Sequence, residues 1–135
     1  LLLKEKRYGE AEIQFQRAAA QYPDNARILI NYGALLIETS RPQEALAVLE
    51  QARGKTMVTR EVVDWHINLG VALGFLGSYE AAEGHLKEAL ALDPENRVLH
   101  RNLAALYARQ ERHAEALHHM RFAGRPEPLH KGQKP

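Results

Sequence analysis

The sequence of 135 residues has no cysteine, few aromatics and no excess of charge of either sign, with 18 Lys and Arg against 17 Asp and Glu. Without cysteine there is no disulfide, no Cys-ligated zinc, no iron–sulfur cluster and no thiol nucleophile. The same absence leaves the cell compartment open. A formal charge of +1 lacks the basic excess of a phosphate-tracking surface, so nucleic acid is not an expected partner. No apolar run approaches the roughly 18 residues that a membrane-spanning helix needs, so no membrane insertion is expected. The opening Leu1, Leu2 and Leu3, followed at once by Lys4, Glu5, Lys6 and Arg7, is neither an initiator Met nor the start of a signal peptide, and reads as a stretch cut from a longer chain.

What is abundant is helix-forming residue. Ala and Leu number 39, whereas Val, Ile and Thr number 14, a balance that predicts an all-α fold. The sequence also repeats itself. A column of small residues runs Ala11, Ala45, Ala82, Ala116, and a second runs Ala18, Ala52, Ala89, Ala123, both at steps of 34, 37 and 34. Between the columns lies a bulky residue, Phe15, Leu49, Leu86 or Met120. Upstream, a large residue is followed by a small one at Tyr32-Gly33, Leu69-Gly70 and Leu103-Ala104, each preceded by Asn31, Asn68 or Asn102. The three extra residues of the 37-residue step lie between Arg53 and Ile67.

Apolar periodicity and helix-start signals predict helices at about 10 to 21, 26 to 39, 42 to 54, 60 to 76, 79 to 91, 97 to 109 and 113 to 123. Ser40 before Arg41-Pro42, Asp93 before Pro94, Ser78 and Thr59 are the candidate N-caps. Small columns let two antiparallel helices approach to roughly 8 to 10 Å, and one such pair cannot bury its own apolar face, so the pairs must stack.

The 34-residue period, the Leu69-Gly70 pair, the GSYEAA turn from Gly77 to Ala82 and the ALALDPEN segment from Ala89 to Asn96 resemble the tetratricopeptide repeat family. The resemblance covers about residues 1 to 123. It implies a right-handed α-solenoid of antiparallel helix pairs, about three and a half repeats. These are a partial repeat at 1–25, a repeat with the three-residue insertion at 26–62, a repeat at 63–96 and a last one at 97–123, before a disordered tail at 124–135. The sequence departs from the family pattern where Leu29, His66 and His100 stand in place of the usual Trp, and where Met57 replaces the closing Pro.

Chemistry is poorly provided for. The only serines are best spent as caps, and no strand exists to build a nucleophile elbow, so the chain is not expected to be an enzyme. Seven His include no pair three or four residues apart, so none chelates from one helix face, and neither metal nor cofactor is expected. Only pairs across repeats, His66 with His100 or His85 with His119, share a column. Gly70, Gly74 and Gly77 read as close helix packing.

In the resembling family the first helix of each pair lines a concave groove. The resemblance therefore assigns to that groove Arg27, Asn31, Ala34 and Glu38, then Asp64, Asn68, Val71 and Phe75, then Val98, Arg101, Asn102, Ala105 and Arg109. Each set falls on one helical stripe too polar to be core. Asn is poor in mid-helix, yet three of the chain's five Asn share one column. The expected use is a ladder of amides along an extended peptide, as in peptide-binding members of the family. The competing use is a hydrogen bond to a neighbouring helix. Arg101 and Arg109 together favour an acidic group at the last repeat. The resemblance thus implies an adaptor that binds a protein or peptide partner, or the substrate-recruiting region of a larger enzyme such as a glycosyltransferase. The unpaired ends, with Leu1, Leu2 and Leu3 at one and Leu117 and Met120 at the other, are expected to self-associate.

Overall fold

The computed structural model describes residues 2–124, among which there are seven α-helices and no strand. The helices are α1 (Leu2–Gln21), α2 (Ala26–Glu38), α3 (Pro42–Gln51), α4 (Thr59–Phe75), α5 (Tyr79–Leu92), α6 (Arg97–Arg109) and α7 (His113–Ala123). They stack as the pairs α2/α3, α4/α5 and α6/α7, with α1 packed against α2. The expected tail lies outside the described residues apart from Gly124, which ends α7.

The small columns form the crossings within each pair. Ala45, Ala52, Ala82 and Ala89 are completely inaccessible, as are Leu49 and Leu69, and Leu86 is almost so. Gly33 and Gly70 let the helices come closer still. A Cβ on Gly33 would stand 2.6 Å from Leu49 Cγ, and one on Gly70 would stand 2.7 Å from Leu86 Cγ, both far inside van der Waals contact. The third pair places Ala104 and Met120 at those positions.

The first helix differs from the expectation. Residues 2 to 9 continue α1 as one rod, straight through Lys6, the counterpart of the turn residues Ser40, Gly77 and Glu111. Those three all have positive φ, 61°, 82° and 59°, so each complete repeat turns between its helices through the left-handed region. Only Gly77 adopts it without a Cβ penalty.

Ser40 is therefore a helix-ending residue, and Arg41 holds the N-cap position of α3. Asp93 likewise follows α5, and the cap of α6 is Asn96, whose Oδ1 accepts from Leu99 N at 2.9 Å. Asn25 caps α2 in the same way through Ile28 N. Thr59 is already inside α4, where Val58 N donates to Glu61 Oε1 instead. Ser78 does hold the N-cap position of α5 but makes no side-chain cap bond. The inserted residues lengthen the α3–α4 loop and give α4 an additional first turn, Thr59–Val62.

The second helices are clipped together by charge in alternate repeats. Arg41 donates to Glu12 at 2.6 and 2.9 Å while also pairing with Glu44, and Arg112 pairs with Glu83 and Glu115 at their counterpart positions. Hydrogen bonds from Lys87 and Arg112 hold the Glu83 carboxyl well below the usual range, at about 2.

Candidate functional site

The first helices α2, α4 and α6 present their polar stripes side by side, and the additional turn of α4 rises between them as a ridge. One cleft between α2 and α4 holds Arg27, Asn31, Val58, Arg60 and Asp64. Another, between α4 and α6, carries Arg60, Asp64 and Arg101. Arg60 Nε lies 3.7 Å from Asp64 Oδ2. Arg60 and the exposed Val58 were not readable as groove residues, because their place depends on how the three-residue insertion is absorbed.

Further along the same face, α4 and α6 separate around a cleft of about 110 Å³. Its floor is apolar, made by Gly70, Gly74, Val71 and Leu106, and its rim carries Asn102, Phe75 and Arg109. Phe75 is half exposed although it is the largest apolar side chain of the stripe. The Arg109 guanidinium lies over its ring, 4.8 Å from the centroid, and donates to the Gly74 carbonyl at 3.2 Å. The bare backbone of Gly74 makes this hollow: a Cβ there would reach only ordinary contact, 3.4 Å from Leu106 Cδ1.

The other assigned residues are not equivalent to one another. Asn68 Nδ2 donates to the Ile30 carbonyl of α2 at 3.3 Å, bridging two helices. Asn102 is half-buried at the cleft rim, and Asn31 is exposed. Glu38 accepts from Tyr8 Oη at 2.9 Å, which ties that carboxylate to α1. Arg27 and Arg101 are exposed, as are Ala34, Ala105 and Val98.

The histidines pair in a way the column spacing does not foretell. His66 meets His85 with Nδ1 to Nδ1 at 3.0 Å, and His100 meets His119 at 2.8 Å. The pairs lie within each helix pair, 19 residues apart, and not across repeats. His100 Nε2 lies 2.7 Å from the Pro94 carbonyl and must donate to it, so neutral His100 accepts at Nδ1 and His119 donates. Leu29 and Val48 occupy the counterpart positions of the preceding repeat. Among the described residues no group of three or more His, Cys, Asp or Glu is placed to hold a metal. Trp65, beside His66, is buried, donates from Nε1 to the Leu49 carbonyl at 2.8 Å and lies under Arg53.

Comparison with known proteins agrees with this architecture. The Tetratricopeptide repeat model matches residues 2–61 and 76–121. In fold the chain is similar to MamA 41-end from Desulfovibrio magneticus RS-1, with a TM-score of 0.73 at 23% identity over 90% of this chain and 67% of that one. It is also similar to MamA MSR-1 C2, with a TM-score of 0.67 at 27% identity over 90% of this chain and 68% of that one. Among curated proteins, protein y4yS of Sinorhizobium fredii is 34% identical over 83 residues, which make 62% of this chain and 44% of that protein. Protein O-mannosyl-transferase F38B6.6 of Caenorhabditis elegans is 39% identical over 51 residues, 38% of this chain and 7% of that protein. The chain thus spans less than half the length of either curated relative.

Proposed function

Because the chain belongs to the tetratricopeptide repeat family, a fold of protein-interaction scaffolds, we propose that it is a noncatalytic adaptor holding an extended partner segment along α2, α4 and α6. The observation that carries this reading is the apolar cleft beside Phe75 with its polar rim. A concave apolar hollow edged by an amide and a guanidinium suits one aliphatic side chain of a peptide and the backbone beside it. Asn102 offers a donor and an acceptor to that backbone, and Arg101 and Arg109 favour an acidic residue next to the apolar one. Of the Asn column, Asn102 carries most of the recognition, because the amide nitrogen of Asn68 is already engaged with Ile30.

The test is selection of a random peptide display library on the chain, followed by titration of the selected peptides against variants. Gly74→Ala adds a methyl group in ordinary contact with Leu106, so the fold is kept while the hollow becomes shallower. Affinity is expected to fall about tenfold or more in Gly74→Ala and Asn102→Ala, in line with a loss of roughly 1.4 kcal/mol. Selected peptides that bind both variants as tightly as the parent refute the cleft as the site.

One observation favours a second reading. The stretch shared with the O-mannosyl-transferase fits a substrate-recruiting region attached to a catalytic domain. The complete coding sequence decides between the two: a glycosyltransferase domain in the same chain supports recruitment, and its absence supports the free adaptor.

A further inference from the structure

The spacing of the histidines excludes chelation from one helix face, but not chelation by two helices of one repeat. His66 of α4 and His85 of α5 bring their Nδ1 atoms to 3.0 Å, with ring centroids 5.2 Å apart and both side chains half-buried. Glu88, exposed and one turn on from His85, lies near enough for its charge to act on both rings. Among the described residues no cation pairs with that carboxylate. We propose that His66, His85 and Glu88 form a binding site for one divalent copper ion.

Two imidazoles and a carboxylate suit a late first-row divalent ion, and copper binds such donors most tightly. The separation of the two Nδ1 atoms narrows the choice in the same direction. Two metal–nitrogen bonds of about 2.0 to 2.1 Å at a right angle, as on a tetragonal ion, span about 2.9 Å, whereas a tetrahedral ion such as zinc spreads them to about 3.3 Å. In the free protein one of the two Nδ1 atoms carries the proton of their contact. Neither Nε2 has a protein partner among the described residues, so that proton can pass by exchange with solvent to the Nε2 of its own ring. The rings then tip until both Nδ1 lone pairs converge on the ion, Glu88 swings in as the anionic donor, and water fills the remaining positions.

The neighbouring repeats show what is particular to this one. His100 is only 4% exposed, beneath the ring of Phe122 at 3.8 Å, and Phe122 stands where the α4/α5 repeat has Glu88. The preceding repeat has Leu29, Val48 and Gln51 at the three positions. Only the α4/α5 repeat joins two imidazoles to a carboxylate. The cation Arg53 also acts on both rings, but Glu50 accepts from it at 2.7 and 3.0 Å and offsets its charge.

The chain carries its own reporter. Trp65 is the only tryptophan of the sequence, and its ring centroid lies 5.0 Å from that of His66 and 6.2 Å from that of His85, so a copper ion at the pair quenches its fluorescence. Titration of the full chain with copper sulfate in a non-coordinating buffer is expected to quench Trp65 saturably. His85→Val, which copies Val48 of the preceding repeat, should weaken binding at least tenfold. Glu88→Gln, an exposed change that keeps the fold, should weaken it about threefold. His118→Ala, also exposed, should leave the curve unchanged, which separates the site from copper held by surface histidines. Pulsed electron paramagnetic resonance with copper below one equivalent should show two equatorial imidazoles in the parent and one in His85→Val. Absence of saturable quenching overturns the proposal, as do equal curves for the parent and His85→Val, or a single imidazole in the parent spectrum.

Discussion

The first helix and the later second helices carry the same pattern of small, bulky and small residues, yet they end in different environments. In α3 and α5 the pattern is sealed by the helix in front of it, and on α1 it borders an open groove. The residues are alike and the neighbours differ. Burial in a stacked array is a property of the junction between helices and not of either helix alone.

The strongest way to test that contrast is to delete the bulky residue at both places. Leu86→Ala should cost about 2 to 5 kcal/mol of stability in denaturant melts, whereas Phe15→Ala should cost less than about half as much although it removes more atoms. Equal losses would show that α1 is sealed as well. Enlarging the small columns is the complementary test. Ala45→Leu and Ala82→Leu overpack a crossing and should cost about 1 to 3 kcal/mol, while Ala11→Leu should stay within about 0.5 kcal/mol of the parent.

The turns allow a change of opposite sign. Ser40 and Glu111 occupy the left-handed region, so Ser40→Gly and Glu111→Gly should each raise stability by roughly 0.5 to 1 kcal/mol. At Lys6, where α1 has no turn, the same substitution should lower stability by a similar amount. A uniform response at all three positions would break the distinction between α1 and the complete repeats.

The smallest effect concerns the histidine pairs against their apolar counterpart, Leu29 and Val48. Burial, reinforced by neighbouring cationic groups, holds His66, His85 and His119 below the ordinary imidazole value. The unfolded chain therefore takes up these protons first as pH falls below about 6.5, so the stabilisation is complete above that value and is lost as pH drops through the lowered native values. Melting temperature should decline between about pH 7 and 5, before the carboxylates paired with Arg and Lys begin to titrate. His66→Leu with His85→Val, which copies the apolar repeat, should flatten part of that decline. A curve parallel to the parent's would remove the pairs from the pH response.

Much of the array was legible because packing recurs at every step: the Ala columns and most of the helix bounds follow from spacing, whereas the extension of α1 back to Leu2 and the seating of Gly33 on Leu49 and Gly70 on Leu86 do not. The caps were less legible. Ser40 and Asp93 lie beside helix starts and have the right chemistry, but they end the preceding helices, and the capping role falls to Asn25 and Asn96. The site was legible as a stripe and not as a surface. Nothing in the spacing distinguishes the exposed Asn31 from Asn68, which reaches a neighbouring helix, and the histidine partners 19 residues apart become visible only when both helices of a pair are placed.

The third crossing carries a methyl group where the other two have none. With Leu opposite, as at Leu49 and Leu86, a methyl group on the facing glycine would collide, so Gly could not become Ala without loss of stability. Methionine is unbranched at Cβ and Cγ and can swing aside, and Met120 is 59% exposed. In the α4/α5 repeat, Leu86→Met should therefore lessen the cost of Gly70→Ala. Denaturant melts of Gly70→Ala with and without Leu86→Met check that coupling.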